Sequence, residues 1–182
     1  VVNKAESSVN ITTEQTDVIV NVTGGMSGNV TVYINGAKEI IPFDGNPIRL
    51  ADKLQTGNNT IIVEFSGNEN YTSSQNDVEM FIAKKPSSVN VTADPITYGS
   101  EAEIIVSVGE NQTGYVTIEV NGREYSAEIK DDKVTFTILG LDASTYPVTV
   151  KYSGDADFEN QTNATDLIVN KANLTAIVEG LN

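Results

Sequence analysis

"GYVTIEVNG" fills Gly114–Gly122, and "GNVTVYING" fills Gly28–Gly36. In the later stretch Val116, Ile118 and Val120 alternate with Thr117 and Glu119, and in the earlier one Val30, Val32 and Ile34 do the same. A period of two places every second side chain on one face, which is the pattern of a half-buried strand. Each run then ends in Asn-Gly, at Asn35–Gly36 and Asn121–Gly122. That dipeptide is the strongest short hairpin signal, because both central residues of a type I′ turn need positive φ. Each stretch therefore reads as a strand and its turn, written twice 86 positions apart.

The duplication spreads outward from there. "SSVN" at Ser7–Asn10 returns at Ser87–Asn90, "DVIVNV" at Asp17–Val22 as "EIIVSV" at Glu103–Val108, and "FSGNENY" at Phe65–Tyr71 as "YSGDADF" at Tyr152–Phe158. The offset is 80 for the first pair and 86 or 87 later, and an insertion containing "PITYGS", Pro95–Ser100, absorbs the difference. Periodicity of this kind marks an array of structural units. Other alternating runs fall at Ile61, Val63 and Phe65 and at Val148, Val150 and Tyr152, and no stretch carries a helical period. About seven short strands in about 85 residues is the count of an immunoglobulin-like sandwich. The expected architecture is all-β, with two tandem immunoglobulin-like β-sandwiches end to end, one over residues 4–84 and the other over 85–171. "VVNKA" at Val1–Ala5 reproduces "IVNKA" at Ile168–Ala172, and "KANLTAIV" at Lys171–Val178 restarts the pattern. Residues 1–3 are thus expected to close an upstream repeat and residues 172–182 to open a downstream one. The junction "AKKPSS", Ala83–Ser88, is short and carries Pro86, unlike a long Gly/Ser tether, so it predicts a semi-rigid rod.

Composition narrows the chemistry. Among 182 residues, 11 Lys and Arg face 25 Asp and Glu, a formal net charge of −14 that disfavours nucleic acid and anionic membranes as partners. Cys, His and Trp are absent. This removes thiolate nucleophiles, disulfides, Cys-based zinc sites, the usual general base near neutral pH and the commonest transition-metal ligand. No apolar run is long enough to insert into a bilayer.

The pattern of a glycine before V-T-V-x-V-N-G, followed by Y-S-G-D-x-x-Y and a closing strand, covers nearly the whole chain. It is carried by "GYVTIEVNGREY", "LDASTYPVTVKYSGDADF" and "LIVNKA" in the second unit. In the first it is carried by "GNVTVYINGAKE", "LQTGNNTIIVEFSGNENY" and "MFIAKK". On these residues the chain resembles the bacterial-type Ig-like repeats of large archaeal surface proteins, the adhesin-like proteins of methanogens. The resemblance implies an extracellular, secreted or envelope-attached chain whose repeats act as stalk, and it carries over no catalytic residue. An alternative function is that these domains themselves grip a glycan or protein on another cell. Tyr33, Tyr98, Tyr115 and Tyr125 are the aromatic candidates for stacking on a sugar ring.

Several residues stand out within this frame. Tyr146, five residues after Leu141 at the start of a strand, holds the place of a tyrosine corner, where Asn59 stands in the first unit. Asp155, Asp157 and Glu159 alternate in "GDADFEN", the loose spacing of hard oxygen ligands that calcium uses, although the first unit keeps only Glu69 there. The bland reading of that stretch is an acidic hairpin loop. No other cofactor is expected. Ten Asn-x-Ser/Thr sequons occur, where chance composition would give about three. Of these, Asn58, Asn111 and Asn163 read as loop sites open to N-glycosylation, whereas Asn21, Asn29 and Asn90 sit in ordinary strand context. Lys4, Lys84 or Lys85, and Lys171 recur at the junctions and read as solvated. An isopeptide crosslink from such a lysine would need a desolvated triad around it.

Overall fold

The computed structural model describes residues 3–23 and 27–174. The chain divides into two compact units between Lys84 and Lys85. Residues 1–2 and 175–182, most of the expected neighbouring repeats, lie outside the described residues.

In the first unit, strands β1 (Val9–Glu14), β2 (Asp17–Val22) and β5 (Ile48–Arg49) form one sheet, with β2 in the middle. The other sheet runs in the order β4 (Ala37–Phe43), β3 (Gly28–Ile34), β6 (Gly57–Phe65), β7 (Ser74–Ile82), all antiparallel. Val18 and Val20 of one sheet pack with Val30, Val32, Ile61 and Val63 of the other, all fully buried. These are the alternate positions of each run, so the sequence period and the inner face coincide. Fully burying one such side chain stabilises by about 1.5–3 kcal/mol.

The second unit repeats the plan with one additional strand and a longer closing edge. Strands β8 (Val89–Ala93), β10 (Ala102–Val108) and β13 (Lys133–Ile138) make one sheet, with β10 central. The other runs β12 (Arg123–Glu128), β11 (Tyr115–Val120), β14 (Thr145–Tyr152), β15 (Gln161–Asn170), β9 (Ile96–Thr97). Ile104, Val106, Ile118 and Val150 are fully buried between them. The fold is all-β, two immunoglobulin-like sandwiches of seven and eight strands. A single 3-10 turn at Ala51–Lys53 is the helical exception among the described residues.

The eighth strand has a local cause. β9 lies in the "PITYGS" insertion and pairs in parallel with the outer edge of β15, Ile96 opposite Val169 and Thr97 opposite Asn170. The first unit lacks the insertion, and β1 turns straight into β2 through Gln15–Thr16. Both Asn-Gly pairs form two-residue hairpin turns. Ile34 faces Ala37 across Asn35 (φ 50°) and Gly36 (φ 85°), and Val120 faces Arg123 across Asn121 (φ 50°) and Gly122 (φ 69°).

Candidate functional site

The loop joining β14 to β15 gathers the most polar groups, and its geometry starts from Gly154. At φ 71°, Gly154 turns the chain so closely that a Cβ there would lie 2.8 Å from Asn160 N. Gly67 makes the same turn in the first unit, at φ 80° with Tyr71 O at 2.8 Å. The turn brings the next side chain onto the backbone ahead of it. Asp155 Oδ1 accepts from the N–H groups of Asp157 and Phe158, both at 2.8 Å. Asn68 Oδ1 accepts from Asn70 and Tyr71 at 2.9 Å in the first unit. One carboxylate oxygen of Asp155 therefore does only what an amide oxygen does in the sister unit.

The other oxygen is particular to the second unit. Asp155 Oδ2 accepts from Thr113 N at 2.8 Å, from Thr113 Oγ1 at 3.1 Å and from the Tyr152 hydroxyl at 3.0 Å. In the first unit Phe65 replaces Tyr152 and Asn68 replaces Asp155, so the hydroxyl and the second carboxylate oxygen disappear together. Burial would raise the Asp155 carboxyl. The N–H groups of Thr113, Phe158 and Asp157 and the Tyr152 hydroxyl outweigh it and hold the group well below the usual carboxylate range. Burial, and then the bond to Asp155, push the Tyr152 phenol above its ordinary value.

Of the three carboxylates named for calcium, Asp155 has both oxygens bonded to protein donors, and among the described residues no three acidic side chains form a group that could hold a metal ion. The alternation in sequence is that of a loop whose first carboxylate turns inward onto backbone donors. Asp157 and Glu159 are exposed.

The other residues singled out are placed as follows. Tyr146 lies at the start of β14 and its hydroxyl donates to Asp142 O at 3.0 Å, closing a corner four residues long. In the first unit Asn59, 1% exposed, holds the corresponding corner through three bonds. Its Oδ1 accepts from Gln55 N at 3.0 Å, and its Nδ2 donates to Gln55 O at 2.7 Å and Gly57 O at 3.1 Å. Asn111 is exposed in the turn after β10, at φ 61°. Asn58 is exposed but belongs to β6, so it is a strand residue and not a loop residue.

Asn163 is corrected more deeply. It stands within β15, half-buried, with Nδ2 donating to Val89 O at 2.7 Å and Oδ1 accepting from Ala164 N at 2.8 Å. Asn76 does the same in β7, donating to Val9 O at 3.0 Å and accepting from Asp77 N at 2.9 Å. In both units a carboxamide clips the last strand to the first, which lies in the opposite sheet. The signal in the sequence was an Asn at the same place in both units, 87 positions apart. It was masked because one copy is also a sequon and the other is not.

Lys4, Lys84, Lys85 and Lys171 are exposed. The Lys85 ammonium lies 5.8 Å from the centre of the Phe158 ring, and its backbone brackets the acidic loop, with Lys85 N donating to Asp157 O and Glu159 N donating to Lys85 O. Ala5 binds the corresponding loop of the first unit in the same way, through Asn70 O and Thr72 N. Tyr98 and Tyr115 are more than half exposed, and Tyr33 and Tyr125 are half-buried strand residues. A surface hollow of about 520 Å³ is open to solvent above β3 and β4, and Lys53 and Glu39 in its lining form an ion pair at 2.8 Å. No helix among the described residues is long and apolar enough to cross a membrane.

No family model matches the sequence, and no curated protein matches it. Among solved structures, the chain is similar to one described under host cell surface retention of a 1.5-MDa bacterial ice-binding adhesin. There the TM-score is 0.43 and the identity 15%, over 93% of this chain and 67% of that one. It is also similar to fibronectin(III)-like modules of CbhA from Clostridium thermocellum, at a TM-score of 0.42 and 11% identity over 99% and 96% of the two chains. A third likeness is to titin domains z1z2 in complex with telethonin, at a TM-score of 0.38 and 13% identity over 93% of each. At this level of identity and superposition the likeness says nothing of function.

Proposed function

We propose that the two units are non-catalytic repeat modules of an adhesin-like surface protein, extracellular and held at the cell envelope. In this reading they form a semi-rigid stalk, and their partners are further repeats of the same chain. The observation that carries it is the fate of the repeated polar residues. Asn68 and Asp155, and Asn76 and Asn163, all bond within their own sandwich, so what the duplication preserved is the frame. A short junction with Pro86 agrees with modules that hold one another at a distance. The archaeal origin that the resemblance implies and the glycan coat read from the sequons belong to the same proposal.

Two measurements on this chain test it. Solution X-ray scattering is expected to give a maximum dimension close to the sum of two separate units, and glycan arrays and whole cells of candidate partners are expected to bind none of it. A compact particle would remove the stalk. The second reading is a binding module, favoured by the exposure of Tyr98 (54%) and Tyr115 (56%). Saturable binding that is lost in Tyr98→Ala or Tyr115→Ala would establish it in place of the first.

A further inference from the structure

The two Asn-Gly turns share their central dipeptide, follow a β-branched residue in each case, and have the same positive-φ backbone. Their side chains differ. Asn35 Oδ1 accepts from Thr60 N at 2.9 Å, and Asn35 Nδ2 donates to Asn59 Oδ1 at 3.3 Å. The Asn121 carboxamide forms no hydrogen bond among the described residues and is exposed. The cause lies in the neighbouring strand: in the second unit Thr60, whose N–H binds the Asn35 carboxamide, is replaced by Pro147, which has no N–H, and Asn59 is replaced by Tyr146, whose hydroxyl donates to Asp142 O.

We propose that Asn121 is a site of spontaneous deamidation in the folded protein and that Asn35 is protected from it. In the reaction, the backbone nitrogen of Gly122 loses its proton to hydroxide and attacks Cγ of Asn121. Water gives a proton to the departing Nδ2 and hydroxide is regenerated, so the bond from Cγ to Nδ2 breaks and ammonia leaves, forming a cyclic imide. Water then opens the imide at either carbonyl, giving aspartate or isoaspartate at position 121. A glycine after the asparagine leaves the attacking nitrogen unhindered, and both turns have that advantage. Only Asn121 can swing its carboxamide over the glycine without first breaking bonds. For Asn35 two bonds must be released, a handicap on the order of tenfold in rate. The product adds a negative charge to the β11–β12 hairpin, and in its isoaspartate form it lengthens the main chain within a two-residue turn.

The test is to hold the folded chain in mildly alkaline buffer and follow both turns by peptide mapping and isoaspartate labelling. A parallel sample is kept unfolded in urea. The expected result is deamidation at position 121 about tenfold faster than at 35 when folded, and comparable rates when unfolded. Equal rates in the folded chain, or faster loss at Asn35, would overturn the proposal. So would a tenfold difference that persists in urea, since local sequence would then explain it. In Asn59→Ala, checked as folded by circular dichroism, one of the two bonds is removed, and Asn35 is expected to deamidate faster than in the parent chain, though still slower than Asn121 because Thr60 N continues to bind Oδ1. If Asn35 is no faster in that folded variant than in the parent chain, the proposed protection is refuted.

Discussion

Asn76, which no motif marks, and Asn163, which the sequence offers only as a sequon, do the same work in both units. Each holds the first strand of its unit to the last through one donated bond, with its oxygen fixed by the next backbone N–H. Asn163→Ala removes the donor to the carbonyl of Val89, a buried residue. The expected loss is about 1–2 kcal/mol, read from urea unfolding. A glycan on Nδ2 would require the same bond to be released, so site-resolved glycan mapping is expected to find Asn163 unmodified even where Asn58 and Asn111 carry sugar. Asp155 offers a second test. Its folded pKa lies below its unfolded value, as does that of Asp17, whose burial is outweighed by the Arg49 guanidinium and by backbone N–H groups. Their contribution is present above the unfolded value near about pH 4 and is lost as pH falls below it. Asp155→Asn keeps the turn, as Asn68 does in the first unit, but puts an NH2 donor where Oδ2 accepted from Thr113 and Tyr152. A loss of about 1–2 kcal/mol at neutral pH is expected, with a flatter acid limb for the second unit in an unfolding series. These roles were hidden in the sequence because alternation distinguishes inner from outer face and says nothing about which polar group turns back onto its own backbone.

At the scale of elements the two sandwiches are unequal in one place. β13 presents six residues to β10, with Val134, Phe136 and Ile138 buried, whereas its counterpart β5 pairs only Ile48 and Arg49 with β2. The first unit therefore closes that edge with two residue pairs and the 3-10 turn that follows. Hydrogen exchange is expected to show β5 and β2 opening before β13 and β10, since fewer ladder bonds and fewer apolar contacts lower the local opening free energy. Equal protection would mean that Asp17, bonded to Arg49 and to Leu50 N at 3.1 Å, makes good the missing strand. The long strands were legible in the sequence, since Val116, Ile118 and Val120 or Ile61, Val63 and Phe65 announce their faces by alternation. β5 and β9 were not, because two residues cannot display a period. β9 was visible only as an insertion, with nothing in "PITYGS" to tell a loop from a strand.

For the whole molecule, the division at Lys84–Lys85 and the smaller closing edge of the first unit point to two unfolding events in place of one. Calorimetry is expected to show the first unit melting at the lower temperature, and isolated residues 4–84 to melt with it. The parallel pair β9–β15 has a further consequence if such a chain is ever held under tension. Force would enter the second unit near β8 and leave along β15. In a parallel pair the two strands are then drawn lengthwise past each other, so the bonds around Ile96, Thr97 and Tyr98 must give together. An antiparallel hairpin pulled from its open end parts one bond at a time. The first unit has no counterpart of β9, and among the described residues its leading segment keeps only the short parallel bridge of Ala5 to Tyr71, which the second unit has as well at Lys85 and Phe158, and the bonds of Ser7 to Thr72 and Ser74. The insertion that first appeared as an irregularity in the repeat spacing would act as a mechanical fastener. Under stretching, the unit that carries it should be the last to yield.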